Sequence, residues 1–129
     1  MSVARRAYSD RVLGLFRALP HAGNLAAGGG SVVSGEAIAL DRGAWVRFEA
    51  RIEAGRIADC VFRAFGCPHT LAAAALAAGS VRARPLDDAL ALDAARLAQE
   101  LDAPAEKMGR LLVVEDAMRA LIRAAPRLQ

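Results

Sequence analysis

Cysteine, lysine and aromatic residues are all scarce in this chain of 129 residues. Its two cysteines are too few for a disulfide framework, and the first 25 residues carry too many charges for a secretory signal. Phe, Trp and Tyr make up 5% of the residues, too few for a platform on which nucleic-acid bases stack. The longest apolar run, Leu71 to Ala78, is far shorter than the roughly 20 residues of a membrane-spanning helix. We therefore expect a soluble, cytoplasmic protein that binds neither nucleic acid nor membrane.

Alanine and arginine dominate what the chain does contain. Apolar residues make up 55% of the sequence, but 31 of them are alanines, which form helices well and bury little surface. Sixteen of the 17 basic residues are arginines, and they are interspersed with 14 acidic residues rather than clustered. The net charge of +3 therefore defines no nucleic-acid surface. Length and composition predict one helix-rich domain over residues 1–129.

The hydrophobic periodicity predicts a helix, three strands and then further helices. Residues 44–53 alternate apolar and charged side chains, as in a strand with one buried face, and the short turns between strands favour an antiparallel sheet. Five glycines and a proline mark residues 20–35 as a mobile loop. The predicted strands are 36–41, 44–53 and 56–65, and the predicted helices are 3–19, 68–79, 86–101 (as one helix or two) and 107–124. The expected fold class is α+β, a three-stranded antiparallel sheet packed against a layer of helices.

Cys67 is the strongest candidate for a functional residue. It lies between a strand end and a helix start, where Gly66 allows a sharp turn and free helix amides stabilise a thiolate. His69 follows two residues later and could reach the same space, so the two side chains offer half of a metal site. The alternative is a buried structural cysteine beside a surface histidine. From these residues alone, both interpretations stay open.

We predict a different environment for Cys60, because it shares a strand face with Phe62 and Ala64. We expect a buried, unreactive core thiol there. The serine, histidine and aspartate residues of the chain lack the sequence context of a catalytic nucleophile. The acid pairs 87–88 and 115–116 consist of neighbours that point apart on helices, which does not suit acid–base catalysis. We therefore predict no catalytic residue and no enzyme activity.

Several segments together are similar to one protein family. Residues 55–59 (GRIAD) make a glycine turn into a strand, and residues 62–67 (FRAFGC) end that strand on Phe-x-x-Phe-Gly-Cys. The other matching segments are residues 8–12 (YSDRV), 20–23 (PHAG), 86–90 (LDDAL) and 115–122 (EDAMRALI). On these motifs, residues 8–125 resemble the NifU/IscU-type scaffold of iron–sulfur cluster assembly. The resemblance implies that family's α+β fold and a role in cluster assembly.

Most of the metal ligands implied by this resemblance are replaced. The family's first ligand is the Cys of a Cys-Gly-Asp turn, which here reads Arg42–Ala44 (RGA). Its second ligand matches Cys67, and its third belongs to a Lys-x-His-Cys pattern, which here reads Lys107–Arg110 (KMGR). The Leu-Pro-Pro-Val-Lys segment that the family's dedicated chaperone recognises becomes Ala-Pro-Ala-Glu-Lys, which retains only Pro104 and Lys107.

A single cysteine ligand changes what such a site is able to hold. A cluster takes about four protein ligands, whereas the metal-ligand candidates here are Cys67 and, more weakly, His69. If the fold is kept, Arg42 and Arg110 converge on Cys67, where two guanidinium groups oppose a metal cation and favour an anion. Both arginines are therefore anion-binding candidates, with drift of a disused site as the alternative. The family implies an iron–sulfur cluster or zinc, but we expect no cofactor in the isolated monomer.

The functional hypothesis is a scaffold-like protein of iron–sulfur cluster assembly that does not hold a cluster alone. The expected partners are a cysteine desulfurase or other assembly proteins. One alternative is a non-catalytic binding or regulatory module of the assembly machinery. Another is a thiol- and anion-binding protein that uses Cys67 with Arg42 and Arg110.

Overall fold

The computed structural model describes residues 8–126, so the start of the predicted helix 3–19 lies outside the described residues. The helices are α1 (Asp10–Ala18), α2 (Pro68–Val81), α3 (Ala94–Leu101) and α4 (Met108–Ala124). The strands are β1 (Ser31–Ala39), β2 (Ala44–Glu53) and β3 (Arg56–Phe65). Short 3₁₀ turns span Leu40–Arg42, Leu86–Asp88 and Ala105–Lys107. None of the four helices in this span has the length and apolar character that crossing a membrane requires.

The three strands form one antiparallel sheet in the order β1-β2-β3, which confirms the predicted fold class. β2 and β3 begin and end at the predicted residues, because their alternating side chains mark both strands clearly. On β2, Val46, Phe48 and Ala50 are fully buried, whereas the charged residues between them lie on the opposite face. The sheet therefore has a core face, which the helices cover, and an outer face.

The sheet and the helices approach most closely where α4 crosses β1 at Gly35. A Cβ atom on Gly35 would lie 2.6 Å from both the carbonyl oxygen of Ala117 and the Cα of Leu121. Real Cβ atoms essentially never come so close to backbone, so this crossing requires glycine. α2 packs on β3 and contacts the three other helices. Its buried face consists largely of alanines, which allow helices to lie close together.

The predicted loop over residues 20–35 is wrong for its last five residues, which belong to β1. Serine and glycine interrupt the apolar alternation there, but pairing with β2 and contact with α4 outweigh this weak local propensity. The predicted strand 36–41 likewise ends early, at Ala39. The chain then turns through Leu40–Arg42 and leaves the turn at Gly43, which has a φ of 61°.

The rest of that predicted loop is attached to the sheet at two places. Ala22 forms a parallel bridge with Phe62 of β3, with flanking backbone hydrogen bonds of 2.9 and 3.0 Å. On the outer face, the guanidinium of Arg51 donates hydrogen bonds to the carbonyl oxygens of Ala26 and, at 2.8 Å, Gly29. Arg51 is thereby buried although it lies on the outer face of β2. These contacts fix the path of the glycine-rich segment across the sheet.

The predicted helical region 86–101 is α-helical only in its second half, because residues 86–88 form a single 3₁₀ turn and residues 89–93 are not helical. The second half is α3. α3 begins after Asp93, whose carboxylate accepts a hydrogen bond of 3.0 Å from the backbone NH of Arg96. Just before the 3₁₀ turn, Pro85 forms an isolated bridge with Arg56 at the start of β3.

Candidate functional site

Cys67 is the N-cap residue of α2 and follows β3 and Gly66 directly. Gly66 has a φ of 148°, and a Cβ atom there would lie 3.0 Å from the Thr70 side chain, so this turn requires glycine. Pro68 occupies the first turn of α2, as predicted. The Cys67 side chain is partly exposed, and its Sγ lies 3.7 Å from Oγ1 of Thr70. A thiol is thus presented where a strand ends and a helix starts.

The environment of Cys67 favours its thiolate form. Burial raises the pKa of the Cys67 thiol, but the amide and hydroxyl of Thr70, the amide of His69 and the charge of Lys107 together lower it below its usual value. The amides belong to the first turn of α2, where NH groups lack partners within the helix. At neutral pH the Cys67 sulfur is therefore more nucleophilic than an ordinary cysteine.

Cys60 lies in the core, as predicted, and is fully buried. It pairs with Ala50 across the sheet and shares its face with Phe62. Burial, with a smaller contribution from the Asp59 carboxylate, raises the pKa of the Cys60 thiol to about 12. The two cysteines of the chain therefore differ in both access and ionisation.

This difference predicts selective alkylation of the native protein. Each unit by which a thiol pKa exceeds the pH lowers its thiolate fraction about tenfold, so iodoacetamide at pH 7.5 should modify Cys67 at least about a thousandfold faster than Cys60. Peptide mass spectrometry of a time course measures both rates, and Cys67→Ser assigns the fast phase. In denaturant both thiols should react alike. Equal rates in the native state would contradict the assignment of Cys60 to the core.

His69 lies inside the protein at the second position of α2. Its side chain is fully buried, so the alternative of a surface histidine is wrong. The ring packs against Tyr8 at a centroid distance of 5.1 Å, and neither ring nitrogen has a hydrogen-bond partner among residues 8–126. Burial, with the charges of Lys107 and Arg110, lowers the pKa of His69, so the imidazole is neutral at neutral pH.

Arg42 lies across the first turn of α4. A Cβ atom built on Gly109 would overlap the Arg42 guanidinium, at its Cζ and Nε atoms. Any larger residue at position 109 would therefore displace the Arg42 side chain, so the two residues fit each other. Arg42 is the last residue of the turn Leu40–Arg42, which comes directly after β1. The turn therefore brings the end of β1 to the first turn of α4.

Arg110 follows Gly109 directly and Lys107 precedes it by two residues, and with Arg42 they make a group of three cations. Lys107 is the cation that acts on the Cys67 thiol, and both side chains act on His69. The Nε atom of Arg110 is buried and has no hydrogen-bond partner within the described part of the chain. The sequence placed Lys107 in the chaperone-recognition segment and in the Lys-x-His-Cys pattern, but did not predict that it acts on Cys67. Lys107 lies directly before the apolar helix α4, and this position was the signal that could have placed it beside Cys67.

A sequence model of the NifU-like N-terminal domain matches residues 7–127 of this chain. The chain belongs to this family. It is 30% identical over 118 residues to the iron–sulfur cluster assembly scaffold protein IscU of Azotobacter vinelandii, which covers 91% of this chain and 92% of that relative. It is 28% identical over 117 residues to IscU of Escherichia coli strain K12, and this alignment covers 90% of this chain and 91% of that relative. The family suggested by the sequence motifs is thereby confirmed.

Solved structures show the same fold for this NifU-like domain. A crystal structure of an iron–sulfur cluster assembly scaffold assigned to the SUF system of Fervidobacterium islandicum AW-1 aligns with a TM-score of 0.73 at 12% identity. That alignment covers 92% of this chain and 98% of the other. The N-terminal part of a NifU-like protein from Brucella abortus aligns with a TM-score of 0.57 at 20% identity. That alignment covers 96% of this chain and 86% of the other.

The residues present in this NifU-like domain do not fit a bound zinc ion or iron–sulfur cluster. Within residues 8–126, no group of three or more His, Cys, Asp or Glu side chains is placed to hold a metal ion. Zinc takes about four donors and a cluster about four cysteines, whereas Cys67 and His69 supply two. The charges of Arg42, Lys107 and Arg110 add repulsion toward any metal cation.

Pro104 and Lys107, the remnant of the chaperone-recognition segment, line a cavity of about 670 Å³. The cavity lies between the start of α1 and the connection from α3 to α4. Its other lining residues are Tyr8, Ser9, Asp10, Asp102, Ala103 and Glu106. Because Tyr8 also contacts His69, this cavity adjoins the buried side of the candidate site.

Proposed function

We propose that this NifU-like domain serves iron–sulfur cluster assembly in the cytoplasm as a non-catalytic module that binds an assembly protein and does not hold a cluster alone. Membership of the family and similarity to assembly scaffolds along nearly the whole chain support the role in assembly. The replaced ligands support the second half of the proposal, because two of the three ligand positions implied by the family carry arginine.

The observation that carries this proposal is the packing of Arg42 on Gly109. A guanidinium lies on the turn of α4 where the family pattern has histidine and cysteine side chains. At an effective dielectric near 20, two unit charges about 4 Å apart interact by roughly 4 kcal/mol, and a divalent metal doubles that repulsion. The Arg42 guanidinium lies over Gly109, at a position where the family pattern has a ligand side chain, and this supports the proposal.

An exposed apolar surface beside Cys67 supports the binding of a partner. Ile38, Trp45 and Phe65 are paired across the three strands and so lie side by side on the outer face, with the Trp45 and Phe65 rings stacked at 5.7 Å. Ile38 is 55% exposed and Phe65 54%, and Leu40 in the adjoining turn is 84% exposed. We call these four residues the apolar row. Adjacent exposed apolar side chains of this size are typical of protein interaction sites.

A cysteine desulfurase is the partner that we propose for the apolar row. Phe65 lies two residues before Cys67, so a protein docked on the row reaches the partly exposed thiol. Arg42 and Asp41 lie in the turn that carries Leu40, and Glu36 accepts a hydrogen bond from Trp45, so the row is bordered by charges of both signs.

The test is binding of the purified chain to the cysteine desulfurase of its own organism, measured by calorimetry. We expect a complex that Ile38→Ser with Phe65→Ser weakens at least about a hundredfold, since hot-spot side chains contribute about 2 kcal/mol or more each. Cys67→Ser should still bind, because the row rather than the thiol holds the partner.

Val32→Ser provides a matched control for this experiment. Val32 is a 56% exposed apolar residue on the same face of β1, but it pairs with Arg51 at the opposite end of the sheet. Its replacement should leave the affinity unchanged. Absence of any complex, or an equal loss of affinity in the control, would reject the apolar row as the docking surface.

A further inference from the structure

We propose that the first turn of α4 binds a small tetrahedral oxyanion, of the inorganic sulfate or phosphate type, through Arg42, Lys107 and Arg110. We call these three residues the cation cluster. The inference concerns the isolated chain and a small ligand, so it does not depend on docking of a protein to the apolar row. It gives a specific ligand class to side chains that stand where the family pattern places metal ligands.

In the part of the chain that the structure describes, the cation cluster forms no close ion pair, although Asp10, Asp102 and Glu106 line the same cavity as Lys107. Arg42 packs on Gly109, which Arg110 follows directly and Lys107 precedes by two residues. Other arginines pair with acids, such as Arg119 with Glu115 at 2.8 Å. Among the described residues, by contrast, the cation cluster has no carboxylate oxygen within 4.0 Å. Three like charges at one turn repel one another, and an anion that bridges them relieves this repulsion.

Two buried polar groups beside the cation cluster lack hydrogen-bond partners. His69 is fully buried with both ring nitrogens unpartnered, and the Nε of Arg110 is buried and unpartnered, within residues 8–126. The charges of Lys107 and Arg110 both lower the pKa of His69, so the imidazole lies within electrostatic range of them. Buried polar groups in proteins nearly always have a partner. Oxyanion oxygens accept hydrogen bonds from guanidinium N–H groups and from the one N–H of a neutral imidazole, and so supply an acceptor for Arg110 and for that ring nitrogen of His69.

The donors and their charges define the ligand class. Guanidinium groups bind oxyanions through paired N–H···O hydrogen bonds, and lysine adds a point charge. The cation cluster carries three positive charges, which favour a dianion such as sulfate or hydrogen phosphate over a monovalent anion. Arg42 is exposed, so a dissolved anion has direct access to the site.

The test titrates sodium sulfate and, separately, sodium phosphate into the purified chain at constant ionic strength kept with sodium chloride. We expect saturable binding of each anion at one site per chain by calorimetry, with a parallel rise in Tm. The double variant Arg42→Gln with Arg110→Gln should bind at least about a hundredfold more weakly, because each charged hydrogen-bond partner lost weakens binding about tenfold or more. Cys67→Ser should bind with unchanged affinity, because the thiol is not one of the three side chains that hold the anion.

Arg123→Gln is the control, because it removes the same charge from an exposed residue in the last turn of α4. It should leave both affinities unchanged. Lys107→Gln provides a separate measurement should the double arginine variant not fold, and it should bind about tenfold more weakly. Undiminished binding in the folded arginine or lysine variants would overturn the proposal. So would the absence of saturation by either anion, because general charge screening would then explain any stabilisation.

Discussion

Replacing Arg42 and Arg110 by cysteine is expected to give a chain that binds a zinc ion tightly, whereas the natural chain is expected to purify without stoichiometric metal. The change removes two cations from the first turn of α4 and adds two thiolates near Cys67, which gives three sulfur donors. It also clears the space over Gly109 that the Arg42 side chain fills. Structural zinc sites bind with about 10 kcal/mol or more at neutral pH, so a restored site should retain zinc through purification. Elemental analysis and competition with a chelator measure this gain.

The matched control replaces the same two arginines by serine. This variant loses the same positive charge but gains no thiolate, so it should remain free of stoichiometric zinc. One tightly held zinc ion or one visible-absorbing cluster per natural chain would refute the argument from charge repulsion. A folded cysteine variant that binds no zinc would show that positions 42, 67 and 110 do not meet as the family pattern requires.

Replacing Gly35 by alanine should destabilise the fold more than any change to a surface residue. The added Cβ would meet the backbone of α4 at Leu121 and at Ala117, and backbone atoms cannot rotate aside as a side chain does. Overpacking of a core commonly costs 1–3 kcal/mol, and we expect about 3 kcal/mol or more here because helix and strand must separate. Urea unfolding followed by circular dichroism measures the change in the free energy of unfolding.

Gly14→Ala is the matched control for this measurement, with the opposite expected sign. Gly14 lies on the exposed side of α1, and a Cβ atom there would meet nothing within 4 Å. Alanine should therefore stabilise the helix by about 1 kcal/mol through its higher helix propensity. A Gly35→Ala protein within about 0.5 kcal/mol of the natural chain would show that α4 can move away from β1 at little cost.

The predictable part of the fold is the part in which local pattern and tertiary contacts agree. β2 and β3 alternate regularly and end at turns, so their limits could be read from the sequence. The first half of β1 could not be predicted, because Gly35 has low strand propensity and is required only by a helix almost ninety residues later in the chain. The attachment of Arg51 to the glycine-rich segment also depends on contacts distant in sequence.

The candidate site likewise has one part that the sequence predicts and another that depends on contacts distant in the chain. The turn and helix start around Cys67 are encoded by adjacent residues, so the thiol could be placed from the sequence. The burial of His69 depends on Tyr8, and the action of Lys107 on Cys67 depends on how α4 approaches α2. Neither is visible in a local pattern. The roles of Arg42 and Arg110 as anion-binding residues stay predictions, which the titrations above test.

The isolated bridges of Ala22 to Phe62 and of Pro85 to Arg56 occupy positions along the outer edge of β3. Within residues 8–126, the other edge of the sheet, that of β1, carries no such bridge. Unpaired strand edges are where a sheet can pair with another chain. Edge-to-edge association of the native fold is therefore expected at β1 rather than at β3.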